Sequence, residues 1–308
     1  MFIFIIAFYI FLGSWTIYNS TSPRVDTFYQ FLEAPQKILS GENPYASNYT
    51  KVYAGITPNY FPYLPFSFIF SLPFVLFFSD PRFGVIFANV ISAYIMYRML
   101  ISKKKEAVGL LFVAAFLLLP GSFYIIEHMY LDPIIFMFFI LFLYFYIKKG
   151  YSLSSLSASL FFLFKQHLFI LLQFVLQKKK IRPLLFFVPF LAIVFFFLLD
   201  TNAFLRNIVF YFNPKTVPAP IHMSLSLTTF LSAIPLLSSL NFPYLIPIVL
   251  FGCIYVYIIR TKRSLIFKAA MSIFAFTYLM YQSFYNHYYL VAQFLFLDIL
   301  VEYLRINV

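Results

Sequence analysis

A chain of 308 residues that is 63% hydrophobic and only 10% charged is not a water-soluble domain, which carries about a quarter charged residues. Its formal net charge of +12 points to a membrane rather than to nucleic acid, because basic residues collect in the cytoplasmic loops of membrane proteins. The single cysteine, Cys253, lies in an apolar run, which excludes a disulfide framework and a thiolate metal site.

Apolar segments of about twenty residues recur along the chain, and they are continuous rather than alternating. An all-α polytopic membrane protein is therefore expected, and a β-barrel is not. Residues 2–18 lack a basic leader and a small-residue cleavage site, and read as a retained span rather than a signal peptide.

The longest polar passage follows, within a large outer loop at 19–82. Asp26 opens the segment Thr27 to Ser40, where Phe28, Phe31, Leu32, Pro35, Ile38 and Leu39 recur at helical spacing. Gly41 ends that helix. An amphipathic helix lying flat on the outer surface would hold Asp26 against a membrane-facing cavity. There the carboxylate either caps the helix or serves as a general base on an incoming hydroxyl.

Basic clusters set the topology. They are Arg98 with Lys103–Lys105, Lys148–Lys149, Lys178–Lys180 with Arg182, then Arg260, Lys262, Arg263 and Lys268, and finally Arg305: 15 of the 22 basic residues. With all five clusters in the cytoplasm, about ten spans alternate correctly: 2–18, 83–101, 107–122, 132–147, 151–164, 168–177, 183–199, 243–259, 265–283 and 287–304. Both termini are then cytoplasmic. Two further apolar segments, 60–79 and 223–240, would break the alternation and are expected to dip into the outer face without crossing. Prolines at 62, 65, 73 and 235 interrupt them. The chain reads as one integral membrane domain, with a core module at about 1–200 and C-terminal spans at about 243–304.

This topology gathers the remaining polar residues at the outer face, so a chemical site faces outward. Lys165 is the most informative of them. It lies in Leu163-Phe-Lys-Gln-His-Leu-Phe169, midway between two cytoplasmic clusters separated by 28 residues. Two legs of about fourteen residues rise roughly 20 Å each, short of a hydrocarbon core of about 30 Å. Lys165, Gln166 and His167 therefore form the apex of a short hairpin. A cation there binds an anion, or it pairs with Asp132 or Glu127, or it snorkels to the interface. Asp298 lies roughly 16 Å inside the last span and calls for a buried partner.

Motifs of soluble enzymes are missing from the sequence: there is no Walker loop, G-x-G-x-x-G, H-E-x-x-H or G-x-S-x-G. Glu127-His-Met-Tyr-Leu-Asp132 holds three potential metal ligands, but not at a spacing that places all of them on one helix face. No metal and no cofactor are expected.

Three stretches together resemble a known family. Asp26, Gly41-Glu-Asn-Pro-Tyr45 and Tyr60-Phe-Pro-Tyr-Leu-Pro65 are similar to the first outer loop of GT-C glycosyltransferases, where an acidic residue precedes G-x-x-P-Y and Y-x-P-P-L-like text. The likeness is strongest to glycosyltransferase family 87 and to the mannosyltransferase that adds the first mannose of GPI anchors. Tyr130-Leu-Asp-Pro-Ile134, Phe164-Lys-Gln166, Ser224-Leu-Ser-Leu227 and Asn286-His-Tyr-Tyr289 resemble later outer motifs. Two departures stand out. The family's D-x-D is Arg24-Val-Asp26 here, and its N-Q-S-L stretch reads His222-Met-Ser-Leu.

The resemblance implies transfer of a hexose, mannose favoured, from a polyprenyl-phosphate donor to a lipid or glycan acceptor at the outer face, with inversion. Asp26 would be the general base. Lys165, with His167, Arg206 and His287, would hold the donor phosphate. Tyr45, Tyr60, Glu127, Asp132 and His222 would contact substrate. A monomer working among membrane lipids, without nucleic acid, is the corresponding expectation. Two other functions compete: a lipid-glycan flippase or transporter, and an inactive GT-C-like assembly subunit. Against the flippase stands the lack of an internal repeat and of paired broken helices.

Overall fold

A computed structural model describes residues 1–53, 60–210, 224–232, 245–279 and 284–306, and every regular element among them is helical. In chain order these are α1 (Phe2–Asn19), α2 (Asp26–Leu39), α3 (Phe66–Phe78), α4 (Phe83–Ile101), α5 (Glu106–Leu117), α6 (Ser122–Glu127), α7 (Asp132–Ile147), α8 (Tyr151–Phe162), α9 (Leu172–Leu176), α10 (Pro183–Phe187), α11 (Leu191–Leu199), α12 (Thr201–Ile208) and α13 (Leu227–Ser232). Three longer helices follow at Leu245–Arg260, Leu265–Leu279 and Tyr285–Tyr303.

Where the sequence reads as one domain, the chain divides into two compact units, Met1–His167 with Lys178–Tyr211, and Leu168–Gln177 with Phe212–Val308. The short piece 168–177 goes with the second unit because it is bonded there. Gln173 Nε2 donates to the Tyr255 hydroxyl at 2.8 Å, and that hydroxyl donates to the Ile170 carbonyl.

α7 is the centre of the first unit. Residues 131–140 are all buried, as expected of a helix that is apolar on every face, and α4 and α8 pack against it. α1 is different. Tyr9, Gly13 and Ile17 face inward, while Phe4, Phe8, Phe11, Trp15 and Tyr18 form an exposed apolar face. Gly13 permits the close approach of α1 to α4, since a Cβ there would lie 2.8 Å from Ile86.

Basic clusters gather at one end of this unit. The α4–α5 turn (Lys103–Lys105), the α7–α8 turn (Lys148–Lys149) and Lys178–Arg182 share one end. Arg182 N donates to Ser155 Oγ at 2.8 Å, and Lys178 Nζ lies 5.7 Å from the Tyr146 ring centre, which fixes the last cluster beside the second. Asp26, Asp80, Glu127, Asp132 and Asp200 belong to the other end, where α2, α4, α7 and α12 begin and α6 ends.

Among the described residues, two helices, α1 and α4, are long and apolar enough to cross a membrane, and a third crossing arises if Pro183–Leu199 and Thr201–Ile208, bent by 117°, form one span. The other apolar helices are shorter. α5 stops at Leu117, ahead of Pro120 and Gly121, so its 12 residues rise about 18 Å. α3 has 13 residues with Pro73 inside. Residues 233–240 of the expected 223–240 dip lie outside the described residues, and its described part contains α13.

In the second unit, Ser264 starts the helix Leu265–Leu279, its Oγ accepting from Phe267 N at 2.9 Å. The same hydroxyl, itself half-buried, donates to Asp298 and gives that buried carboxylate a partner.

Candidate active site

α2 begins at Asp26 itself. Val25 is its extended N-cap, and Asp26 Oδ1 accepts from Thr27 N at 2.9 Å. The helix ends in a Schellman turn, with Gly41 at φ +80, Gly41 N bonded to the Ile38 carbonyl and Glu42 N to the Lys37 carbonyl. Its apolar face does not lie on the membrane surface as expected. Phe28, Phe31, Ala34 and Pro35 are buried inside the protein, where α2 packs on α3, and only Leu39 of the expected stripe is exposed.

The second carboxylate oxygen of Asp26 is free of that capping role. Oδ2 accepts from the Tyr60 hydroxyl at 2.7 Å, and Gln30, one turn along α2, donates to the Tyr60 carbonyl at 3.1 Å. Asp26 is half-buried. Two strong donors occupy two of its roughly four lone-pair positions, leaving the carboxylate able to accept another proton donor.

Tyr60 opens the segment 60–64, which is pinned on all sides. Phe61 N donates to Asn207 Oδ1 at 2.6 Å, Gln166 Nε2 to the Pro62 carbonyl at 3.3 Å, and Tyr45 Oη to the Tyr63 carbonyl at 2.8 Å. Leu64 N donates to the Phe164 carbonyl at 3.1 Å. This segment therefore fixes both Asp26, through Tyr60, and the turn that carries Lys165.

Lys165 lies in the break between α8 and the 3₁₀ turn Gln166–Leu171. Its ammonium donates to Asp132 Oδ1 and Oδ2 at 3.2 and 3.4 Å, and both side chains are buried. Of the readings open for Lys165, pairing with Asp132 is the one realised. Asp132 begins α7, a position where the helix dipole favours a carboxylate.

Tyr63 links the pair to Asp26. Burial raises its phenol pKa, the Asp26 carboxylate raises it further, a hydrogen bond with Thr27 opposes this, and Asp132 adds to the rise. Two of the expected functional acids thus act on one phenol. Burial and then Asp26 also raise Tyr53, and Asp26 contributes last to the rise at Tyr130, behind burial, Tyr124 and Tyr63.

The other expected site residues are placed differently. Tyr45 is fully buried, its ring meeting Phe61, Phe68, Phe196 and Phe204 edge-on at centroid distances of 5.9, 6.1, 5.7 and 5.0 Å. It holds the loop together and offers no surface to a substrate, which corrects its expected role. Arg206 is exposed on α12 and forms no ion pair with a described acid. Its neighbour Asn207 points inward instead. Glu127 accepts from Ser20 Oγ at 2.9 Å and lies 3.9 Å from His128 Nδ1. With Asp132 committed to Lys165, the Glu127–Asp132 stretch forms no cluster of three metal ligands among the described residues. His167 is in the first turn after Lys165. His287 belongs to the second unit, where its Nδ1 accepts from Phe284 N at 3.2 Å at the start of the last helix. His222 lies outside the described residues.

Two structural residues escape a sequence reading. Arg82 is 1% exposed; it forks onto Asp80, with Nη2 to Oδ2 at 2.6 Å, donates to the Ser20 carbonyl at 2.6 Å, and lies over the Phe28 ring at 4.7 Å. Asn207, fully buried, also donates to the carbonyls of Tyr45 and Ala203, both at 2.8 Å. The Asp80-Pro-Arg82 spacing is the only local signal for either.

No protein-family model matches the chain, and a search of curated proteins found no match.

Proposed function

We propose that this chain is a polytopic membrane glycosyltransferase of the GT-C kind, moving a hexose, with mannose favoured, from a polyprenyl-phosphate donor to an acceptor hydroxyl. The observation that carries this reading is the joint hold of segment 60–64 on Asp26 and on the Lys165 turn. It supplies a half-buried carboxylate and a buried ammonium at one end of one unit.

In the reaction, Asp26 takes the proton of the acceptor hydroxyl. The acceptor oxygen forms its bond to the anomeric carbon while the bond from that carbon to the phosphate oxygen breaks. The electron pair leaves with the polyprenyl phosphate, and configuration inverts. Tyr60 orients the carboxylate, and Lys165 receives the departing phosphate as a third hydrogen-bond partner beside Asp132. Asp132 balances the ammonium between turnovers, so no bare charge is left buried.

The membrane arrangement belongs to the same reading. The basic end of the first unit is cytoplasmic by the positive-inside rule, and Asp26 and Lys165 then face the outside. α1 and α4 cross the bilayer, α1 with its aromatic face to lipid. The shorter apolar helices complete about ten crossings together with their turns.

The purified protein in liposomes, given labelled polyprenyl-phosphate-mannose or -glucose and total membrane lipids, tests the reading. Label is expected to move to a new lipid or glycan with wild type and not with Asp26→Ala. Movement of donor between leaflets without transfer, equal in both proteins, would establish a flippase instead.

A further inference from the structure

The turn between α6 and α7 assembles an aromatic surface that the reaction above leaves unused. Tyr124 and His128 have ring centroids 4.1 Å apart, His128 and Tyr130 stack at 5.7 Å with planes only 12° apart, and Tyr124 and Tyr130 are 6.0 Å apart. Met129 makes this possible. It takes φ +55, a left-handed conformation that non-glycine residues rarely adopt, and buries its own side chain completely. The residues on either side of it are thereby brought face to face. Of the three rings, Tyr124 is 43% exposed, and His128 and Tyr130 are half-buried.

The aromatic surface also lies beside Asp26. The Tyr53 hydroxyl donates to the Arg24 carbonyl, two residues before Asp26, at 3.4 Å. Asp26 and Tyr124 both act electrostatically on Tyr53, and Tyr63 and Asp26 both act on Tyr130. Glu127, adjacent in sequence, adds a second carboxylate held by Ser20.

We propose that the Tyr124–His128–Tyr130 stack is the acceptor subsite, taking a pyranose ring of a carbohydrate acceptor against its rings and turning one sugar hydroxyl toward Asp26. The chemistry of the surface selects that occupant. A pyranose presents an apolar C–H face that packs on aromatic rings, and a rim of hydroxyls that needs carboxylates, phenols and imidazole nitrogen as partners; the rings here carry polar edges of that kind. A purely apolar acceptor would make no use of the acceptor positions that Asp26 and Glu127 retain beyond their bonds to Tyr60, Thr27 and Ser20. This subsite rests on the glycosyl-transfer reading and narrows its acceptor to one that already carries sugar.

Saturation-transfer NMR on the full chain in a sugar-free detergent tests it, with methyl α-mannoside and methyl β-glucoside as probes and phosphocholine as the quaternary-ammonium control. Irradiating aromatic protons is expected to saturate the sugar ring protons. The Tyr124→Ala/His128→Ala double variant should weaken that binding about 2- to 10-fold, the range that loss of aromatic contacts produces. Tyr124→Phe, which keeps the ring, should weaken it less than the double variant does. Absence of sugar signals in wild type, equal signals in the double variant, or signals from phosphocholine alone would overturn the subsite. The two readings fail separately. Sugar binding without any transfer sinks the transferase, whereas transfer by the double variant with an unchanged acceptor KM sinks only the subsite.

Discussion

Lys165 and Asp132 are 33 residues apart in sequence and 3.2 Å apart in space, with the carboxylate fully buried. A buried ion pair of this kind adds little net stability, but removing one partner strands the other charge. Lys165→Met or Asp132→Asn is therefore expected to destabilise the protein by about 3–5 kcal/mol. The double variant Asp132→Asn/Lys165→Met should recover most of the loss. Thermal unfolding in detergent checks this, and a double variant no more stable than the singles would oppose it.

Tyr60→Phe removes one hydrogen bond to the Asp26 carboxylate and leaves the ring in place. A bond to a charged group contributes about 1.5–3 kcal/mol, so transfer should slow about 10- to 100-fold. The effect is expected in kcat, with donor affinity unchanged, because Tyr60 orients the base rather than the phosphate. Steady-state kinetics against donor concentration separates the two.

Asn207 and Arg206 are neighbours with opposite expected outcomes. Asn207→Ala leaves Phe61 N and the Tyr45 carbonyl buried without this partner, at a cost of about 2–4 kcal/mol. Arg206→Ala, on the exposed side of α12, should cost about 0.5 kcal/mol or less. Parallel thermal unfolding of the two variants decides it.

Burial, then Glu33, raises the phenol of Tyr49, and burial, then Asp26, raises Tyr63. The unfolded chain releases these protons near pH 10, before the folded chain does. Above that pH the folded state binds more protons than the unfolded one, so stability falls as pH rises. The contribution is present in full below about pH 10. Unfolding followed from pH 9 to 11 should show the decline, and Tyr49→Phe should lessen it.

The helix that Asp26 begins and the Gly41 that stops it are legible in sequence, because apolar spacing and a left-handed glycine are local signals. The break at Lys165 is legible for a related reason: the apolar run is too short for two full crossings. What α2 packs against is not legible. The same stripe suits lipid or protein, and only α3 decides between them. Tyr45 misleads because Gly41-Glu-Asn-Pro-Tyr45 is polar text, whereas its four aromatic neighbours come from residues 61, 68, 196 and 204. Arg82 and Asn207 leave little trace in sequence because each also bonds main-chain groups far along the chain, Ser20 for Arg82 and Tyr45 and Phe61 for Asn207, and such bonds impose no residue pattern at the other end.

The most direct test of Asp26 as the base is to measure donor binding and sugar transfer together in Asp26→Asn. The account predicts that this variant binds polyprenyl-phosphate-mannose as wild type does, while transfer falls by about 100-fold or more. Transfer persisting near the wild-type rate, or donor binding lost along with it, would contradict the assignment.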